Sequence, residues 1–303
     1  MPAIPDIDEL VINRHVTEAC NFRCRYCYAS WEKPETKTEL WKNEAASFHL
    51  LATLVDFFNA SNLANPLRQN LRWRSQRLSI AGGEPTLLGS RLTDIASRAR
   101  ALGFNLSMIT NGSRPETIAA VVPYLDMLGL SVDSLRQETN VAIGRGCPTR
   151  GQASPYDIVA IARQARVLRP GIAIKINTVI NSVNVGEDMS ELIRRVQPDH
   201  WKVMRMLPVV TDALSVDGDA FQNFVSRHKS CHPRITFEDN SDMTRSYVMV
   251  DPHGRFFQNQ PHRRGYQYSR PILEAGVGTA FSEISFSPGT FFGRYEHRVR
   301  SNL

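Results

Sequence analysis

Short apolar runs rich in β-branched residues alternate with longer segments of helical period along most of the chain. Leu10 to Thr17 (LVINRHVT) predicts a first strand. Asn43 to Phe58 then predicts an amphipathic helix with Leu50, Leu51, Leu54 and Phe58 on one face. RLSIAGG predicts a second strand, followed by a helix from Arg91 to Leu102. NLSMITNG predicts a third, and Pro115 suits the first position of the helix after it. LGLSVDS pairs with the helical PYDIVAIARQARVL, IAIKINTVI with a helix starting near Glu187, and HWKVMRMLPVV supplies a sixth strand. Strand–helix units in series imply parallel strands with right-handed crossovers, hence an α/β fold built as a partial (βα)6 barrel, two units short of a closed one. Residues 211–303 differ in character: a helix near Ala220 to Arg227 precedes a hairpin, SYVMV-DPHG-RFFQN. The expected division is a barrel over 1–210 and an α+β cap over 211–303 that covers its mouth.

Composition narrows the class. Of 303 residues, 42% are hydrophobic and 22% charged, as in ordinary globular proteins. The apolar run Leu50 to Phe58 is interrupted by Asp56 and is far short of the roughly 20 residues of a membrane span. Five cysteines without a regular framework argue against structural disulfides and for a reducing cytoplasm. A net charge of +6 suits an anionic partner. The densest basic group, Arg68, Arg72, Arg74 and Arg77, has only Trp73 as an interleaved ring and reads as a solvated face more than a nucleic-acid footprint.

Ligands of α/β folds gather at the carboxyl ends of the strands. The unusual motifs fall there: CNFRCRYC after strand one, GGEP (Gly82 to Pro85) after strand two, TNGS from Thr110 after strand three, and SVDS from Ser131 closing strand four. Lys175 and Asn177 are expected late in strand five, and Lys202 and Arg205 in strand six. Thiolates at Cys20, Cys24 and Cys27 can bind zinc or an iron–sulfur cluster. A structural zinc site wants a closed set of four ligands, and no second half is visible. A three-thiolate [4Fe–4S] cluster leaves one iron open for catalysis. On a helix the same spacing would merely align three cysteines, but Asn21, Arg23 and Arg25 surround them with polar residues.

Cys20, Cys24, Cys27 and the following Tyr28, with GGEP, resemble the radical S-adenosylmethionine superfamily. NRHVTEACNFRCRYCY, SVDS, NVAIGRG, KINTVINSVNVGEDM and WKV, in this order, resemble more narrowly the viperin family of antiviral enzymes, from about Asn13 to Asn259. The resemblance implies a [4Fe–4S] cluster on the three cysteines and S-adenosylmethionine beside Tyr28, Gly82, Gly83, Glu84, Asn111, Ser131 and Asp133. It implies a nucleoside triphosphate (CTP, or UTP or GTP) held by Asn13, Arg145, Lys175, Asn177 and Lys202. Tyr247 is implied as hydrogen-atom donor. The implied product is the 3′-deoxy-3′,4′-didehydro analogue, a chain terminator. His200 stands where vertebrate members carry Arg. The implied partner is an electron donor of flavodoxin or ferredoxin type. Nucleic acid is not expected, since the basic group reads as a solvated face, and neither is a membrane, because the first strand begins within ten residues of the start, where vertebrate members have a membrane-binding helix. Two alternatives stay open: a radical maturase of peptides, and a metal-stabilised nucleic-acid-binding protein.

Overall fold

The structure is a computed structural model describing residues 4–29, 36–146, 155–261 and 263–300. The expected units form. β1 (Asp6–His15) leads to α1 (Glu44–Phe57), whose N-cap Asn43 accepts from the Ala46 amide. β2 (Arg72–Ala81), α2 (Ser90–Ala101), β3 (Asn105–Thr110) and α3 (Pro115–Val121) follow, with proline at the start of α3. Then come β4 (Met127–Ser131), α4 (Gln137–Ala142), α5 (Pro155–Leu168), β5 (Ala173–Ile180), α6 (Ser190–Val196) and β6 (His200–Arg205). Here α6 begins at Ser190 rather than near Glu187, because the preceding loop has its own hydrogen-bonded shape.

The C-terminal part is α7 (Gly218–His228), β7 (Ile235–Glu238), β8 (Val248–Val250), β9 (Arg255–Asn259), β10 (Tyr266–Pro271), α8 (Ile272–Ala275), α9 (Val277–Ser282) and α10 (Pro288–Arg300). β8 and β9 make the expected antiparallel hairpin. Among the described residues one sheet runs β10-β9-β8-β1-β2-β3-β4-β5-β6-β7. The C-terminal strands therefore extend the sheet at both edges: β7 lies parallel beyond β6, and β8 parallel beside β1. Tyr247 precedes β8 instead of lying within it, as the hairpin reading had placed it.

Period two divides each strand between two environments. Ile12, Leu78 and Leu106 share one register; Leu128 and Ile174 share another; Ile176, Trp201 and Ile235 a third. These face the helices, and most are fully buried. The other face carries Asn13, Ser79 and Ser107 in one row, and Ser131, Asn177, Lys202 and Thr236 in another. The concave wall is polar, as a chamber for a charged ligand requires.

Phe256 of β9 is fully buried and meets Phe58 at 6.2 Å and Phe281 at 5.2 Å between ring centroids. That contact joins the C-terminal hairpin to the first helix. Phe256→Ala should cost about 3–5 kcal/mol, and thermal unfolding should stay a single transition. Two resolved transitions would show that barrel and cap fold independently.

Candidate active site

The cysteine loop is held from both sides by backbone. Beyond the strands the β1–β2 pairing continues: the Val16 amide donates to Ala81 O, the Gly83 amide to Thr17 O at 2.7 Å and the Glu84 amide to Ala19 O at 2.8 Å. A Cβ at Gly83 would lie 2.1 Å from Ala19 O, so glycine is required for this approach. On the other side the Arg23 amide donates to Gly144 O and the Arg25 amide to Ile143 O, both at 3.0 Å. Gly144, in the left-handed region, would place a Cβ 2.1 Å from Arg23 O. Glu39, missed in the sequence, holds the start of the loop by accepting from the Glu18 amide at 2.6 Å and the Thr17 hydroxyl.

Cys20, Cys24 and Cys27 are half-buried on this irregular loop, not on a helix face. Burial pushes the Cys20 thiol up to about 11 and the Cys27 thiol to about 12, and each is raised further by its neighbour Cys24. Thiolates gathered in such surroundings need positive charge among them, which iron supplies. Among the described residues no three His, Cys, Asp or Glu side chains gather around one point as ligands of a single ion would. A cuboidal cluster takes each thiolate on a separate iron, and three thiolates on one loop fit that demand. Cys231 is half-buried beside Ser190 Oγ at 3.1 Å, on the side of α6 and α7. Cys147 lies outside the described residues.

The motifs from the next strands converge. Buried Glu84 accepts from the Thr86 amide and hydroxyl, the Thr110 hydroxyl at 2.7 Å and the Asn111 amide at 2.8 Å. Its pKa is raised by burial, against those hydrogen bonds. The carboxylate thus ties GGE to the end of β3. Asn111 donates to Asn21 Oδ1 at 2.9 Å, joining this group to the cysteine loop. Tyr28 is 41% exposed, lies edge-on to His15 and accepts the Tyr266 hydroxyl at its carbonyl.

Asp133 anchors the opposite wall. One oxygen accepts the Val179 amide at 2.7 Å; the other accepts Arg145 at 2.8 Å and the Tyr26 hydroxyl. Arg145 also donates to Ser131 O. The NVGEDM stretch from Asn184 serves as a bracket for the same wall: Asn184 donates to Asp133 O, and Glu187 accepts from the Ser134 and Thr139 hydroxyls. Tyr26, inside the cysteine motif, was missed although its aromatic character was legible.

On the polar face of β6, Lys202 donates to the Tyr247 hydroxyl and pairs with Glu238, each at 2.7 Å, and Tyr247 donates to the same carboxylate. Arg294 of α10 pairs with Glu238 at 3.1 Å, donates to Ser246 O at 2.6 Å and stacks 3.6 Å from the Tyr247 ring centroid. Burial alone would raise the Glu238 pKa; Arg294 and Lys202 outweigh it and hold the group below the usual carboxylate range. Burial raises the Tyr247 phenol well above its ordinary value. Neither Glu238 nor Arg294 was read from the sequence. The expected phosphate cations therefore divide: Arg145 sits with Asp133, and Lys202 with Glu238. Lys175 is the third residue of β5, not late in it, two positions before Asn177 on the same wall. Asn177 is buried and its Oδ1 has no hydrogen-bond partner. Asn13 donates weakly to Val248 O at 3.4 Å. The expected basic patch is dispersed: Arg77 pairs inside with Glu9, Arg68 lies over Trp73, and Arg74 faces Asp6 and Asp8.

Residues 15–196 match the family model of the radical SAM superfamily. An S-adenosylmethionine-dependent nucleotide dehydratase from Pseudoalteromonas ulvae is 41% identical over 96% of this chain and 94% of its own length. One from Psychrobacter lutiphocae is 39% identical over 95% of each. The chain belongs to the radical SAM superfamily, in its family of nucleotide dehydratases. Enzymes of this superfamily use a [4Fe–4S] cluster and S-adenosylmethionine. The structure of anSMEcpe with bound AdoMet superposes with a TM-score of 0.61 at 13% identity, over 98% of this chain and 81% of that one. Streptococcus suis SuiB with precursor peptide SuiA gives 0.54 at 13% identity over 82% of this chain, which spans 59% of SuiB. These likenesses show the shared fold. No helix among the described residues is long and apolar enough to cross a membrane.

Replacing Cys20, Cys24 or Cys27 by Ala should abolish iron incorporation on anaerobic reconstitution, whereas Cys231→Ala should keep it. Iron loss in Cys231→Ala would show a ligand set different from the loop trio.

Proposed function

We propose that this chain dehydrates a ribonucleoside triphosphate (CTP, UTP or GTP) to its 3′-deoxy-3′,4′-didehydro analogue, a chain-terminating nucleotide for defence against phage or virus. The observation that carries the reading is the polar face of the sheet, where buried Lys202 holds both a carboxylate and the Tyr247 phenol. The dehydratase names of the relatives support a nucleotide substrate. The cluster with S-adenosylmethionine supplies a 5′-deoxyadenosyl radical when bound, on Cys20, Cys24 and Cys27. Tyr28, the Gly82–Glu84 backbone, Asn111, Ser131 and Asp133 border the cofactor.

Loss of hydrogen from the ribose C4′ lets the 3′ hydroxyl take up one proton and leave as water, and one electron then reduces the remaining radical cation to the 3′,4′-alkene. Tyr247 supplies both, the proton to the leaving hydroxyl and the electron to the radical cation, together the equivalent of one hydrogen atom, and an electron carrier of flavodoxin or ferredoxin type then restores the tyrosine with one electron and one proton from solvent. Glu238 and Lys202 fix the phenol oxygen, and Arg294 fixes its ring. Asn177 and Asn13 suit the sugar hydroxyls, the unsatisfied Asn177 oxygen being an acceptor. Arg145, Lys175 and Lys202 favour the phosphates, since Lys202 and Arg294 together exceed Glu238 by one positive charge. The working compartment of this reading is a reducing cytoplasm.

Anaerobic incubation of reduced protein with S-adenosylmethionine and each triphosphate separately, followed by mass spectrometry, tests the reading. One triphosphate should yield a product lighter by one water, and free nucleosides should turn over poorly. Equal turnover of a nucleoside and its triphosphate rules the phosphate assignment out. Lys175→Gln should weaken triphosphate binding by about 1.5–3 kcal/mol and leave cofactor binding intact. Removing Arg145 or Lys202 would leave a carboxylate, Asp133 or Glu238, that the cation now partners.

Tyr247→Phe conserves ring volume and should fold. It should still form deoxyadenosine in the presence of substrate but give far less didehydro product per deoxyadenosine. A wild-type ratio would make Tyr247 a packing residue.

A further inference from the structure

We propose that the outer face of the cysteine loop, Arg23 and Arg25 with Val141 and Ala142 of α4, is the docking surface for an acidic one-electron carrier protein of the flavodoxin or ferredoxin class. The inference rests on the radical SAM reading of the loop and names the partner of that same site. Electrons reach the centre on the three cysteines one at a time: the reduced carrier loses one electron and the centre gains one, with no bond made or broken. Among the described residues Cys231 stands apart from the loop. A carrier that serves this centre directly approaches the loop itself.

Among the described residues the stretch from Arg23 to Arg25 gives the loop a charged edge toward solvent. Its inner flank is covered by Gly83, Glu84 and Asn111, whereas Arg23 and Arg25, on either side of Cys24, are exposed. Their guanidinium groups meet backbone carbonyls: Arg23 those of Cys20 at 2.6 Å and Phe22 at 3.0 Å, Arg25 that of Ala142 at 3.1 Å. Elsewhere exposed arginines such as Arg74, Arg91, Arg264 and Arg270 face carboxylates. At this edge Glu138 of α4 is the nearby acid by sequence, offset by exposed Arg136, and the two loop charges remain in surplus.

Between and beside these charges lies apolar surface. Val141 is 65% exposed and precedes the carbonyl that Arg25 holds. An apolar centre with a cationic rim suits a small, transient complex steered by charge, since electrostatic complementarity acts mainly on encounter and specificity. The surface is also pre-ordered. The Arg23 and Arg25 amides are bonded to Gly144 and Ile143, so the arginines and α4 hold one geometry.

The test measures association of the reconstituted protein with a bacterial flavodoxin by calorimetry at low and high salt, and separately the rate of cluster reduction by that flavodoxin and by dithionite. Arg25→Glu should weaken flavodoxin association about tenfold at low salt and flatten its salt dependence. Val141→Glu, outside the cysteine loop, should weaken association similarly while iron content and reduction by dithionite stay at wild-type levels. Arg74→Glu, the same type of charge reversal at the opposite end of β2, should leave association unchanged. Unchanged association in Arg25→Glu and Val141→Glu overturns the proposal, as does equal weakening by Arg74→Glu. Should the wild type bind flavodoxin through this face yet form no didehydro nucleotide with dithionite, the dehydratase reading fails and the docking face stands.

Discussion

The mouth of the barrel depends on β1 and β2 staying hydrogen-bonded after both have ceased to be strands. The amides of Val16, Gly83 and Glu84 continue the pairing into the approach to Cys20. That continuation puts the GGE backbone against the cysteine loop, and the Glu84 carboxylate then reaches across to the end of β3. Only glycine permits the spacing, because a side chain at position 83 would collide with the Ala19 carbonyl. Three successive strand ends are thereby fixed relative to one another with little reliance on side-chain packing. Precision of this kind suits a site whose chemistry is set by ligand positions.

Much of the barrel was legible because its signals are local. Alternating apolar residues and proline at the start of α3 marked elements within a few residues of where they form. The cysteine spacing was legible for the same reason. Short elements were harder: α4 and β7 have too few residues to display a period, and β10 is polar on most of its length.

The partners of charged groups were the least legible. Glu238 and Arg294 are 56 residues apart, and nothing near either one signals the other. Arg145 and Lys202 could be assigned to phosphate from family position, but their carboxylate neighbours emerge only when the chain is folded. Tyr26 shows a different failure. It sits within the most conspicuous motif in the chain, and its neighbours drew attention to metal ligation while its hydroxyl serves Asp133. A residue type gives the kind of bond available, and topology gives the partner.

The way the sheet ends also sets the capacity of the chamber. β7 and β8 belong to opposite halves of the sheet order and are bridged by Glu238, Lys202 and Tyr247 rather than by a ladder of backbone bonds. A closed eight-stranded parallel barrel has a circumference so small that its own side chains fill it. Replacing one interstrand contact by the reach of a carboxylate and a phenol enlarges the girth by more than a strand spacing would. The groups that join β7 to the approach of β8 therefore also bear on how large a guest the interior can admit.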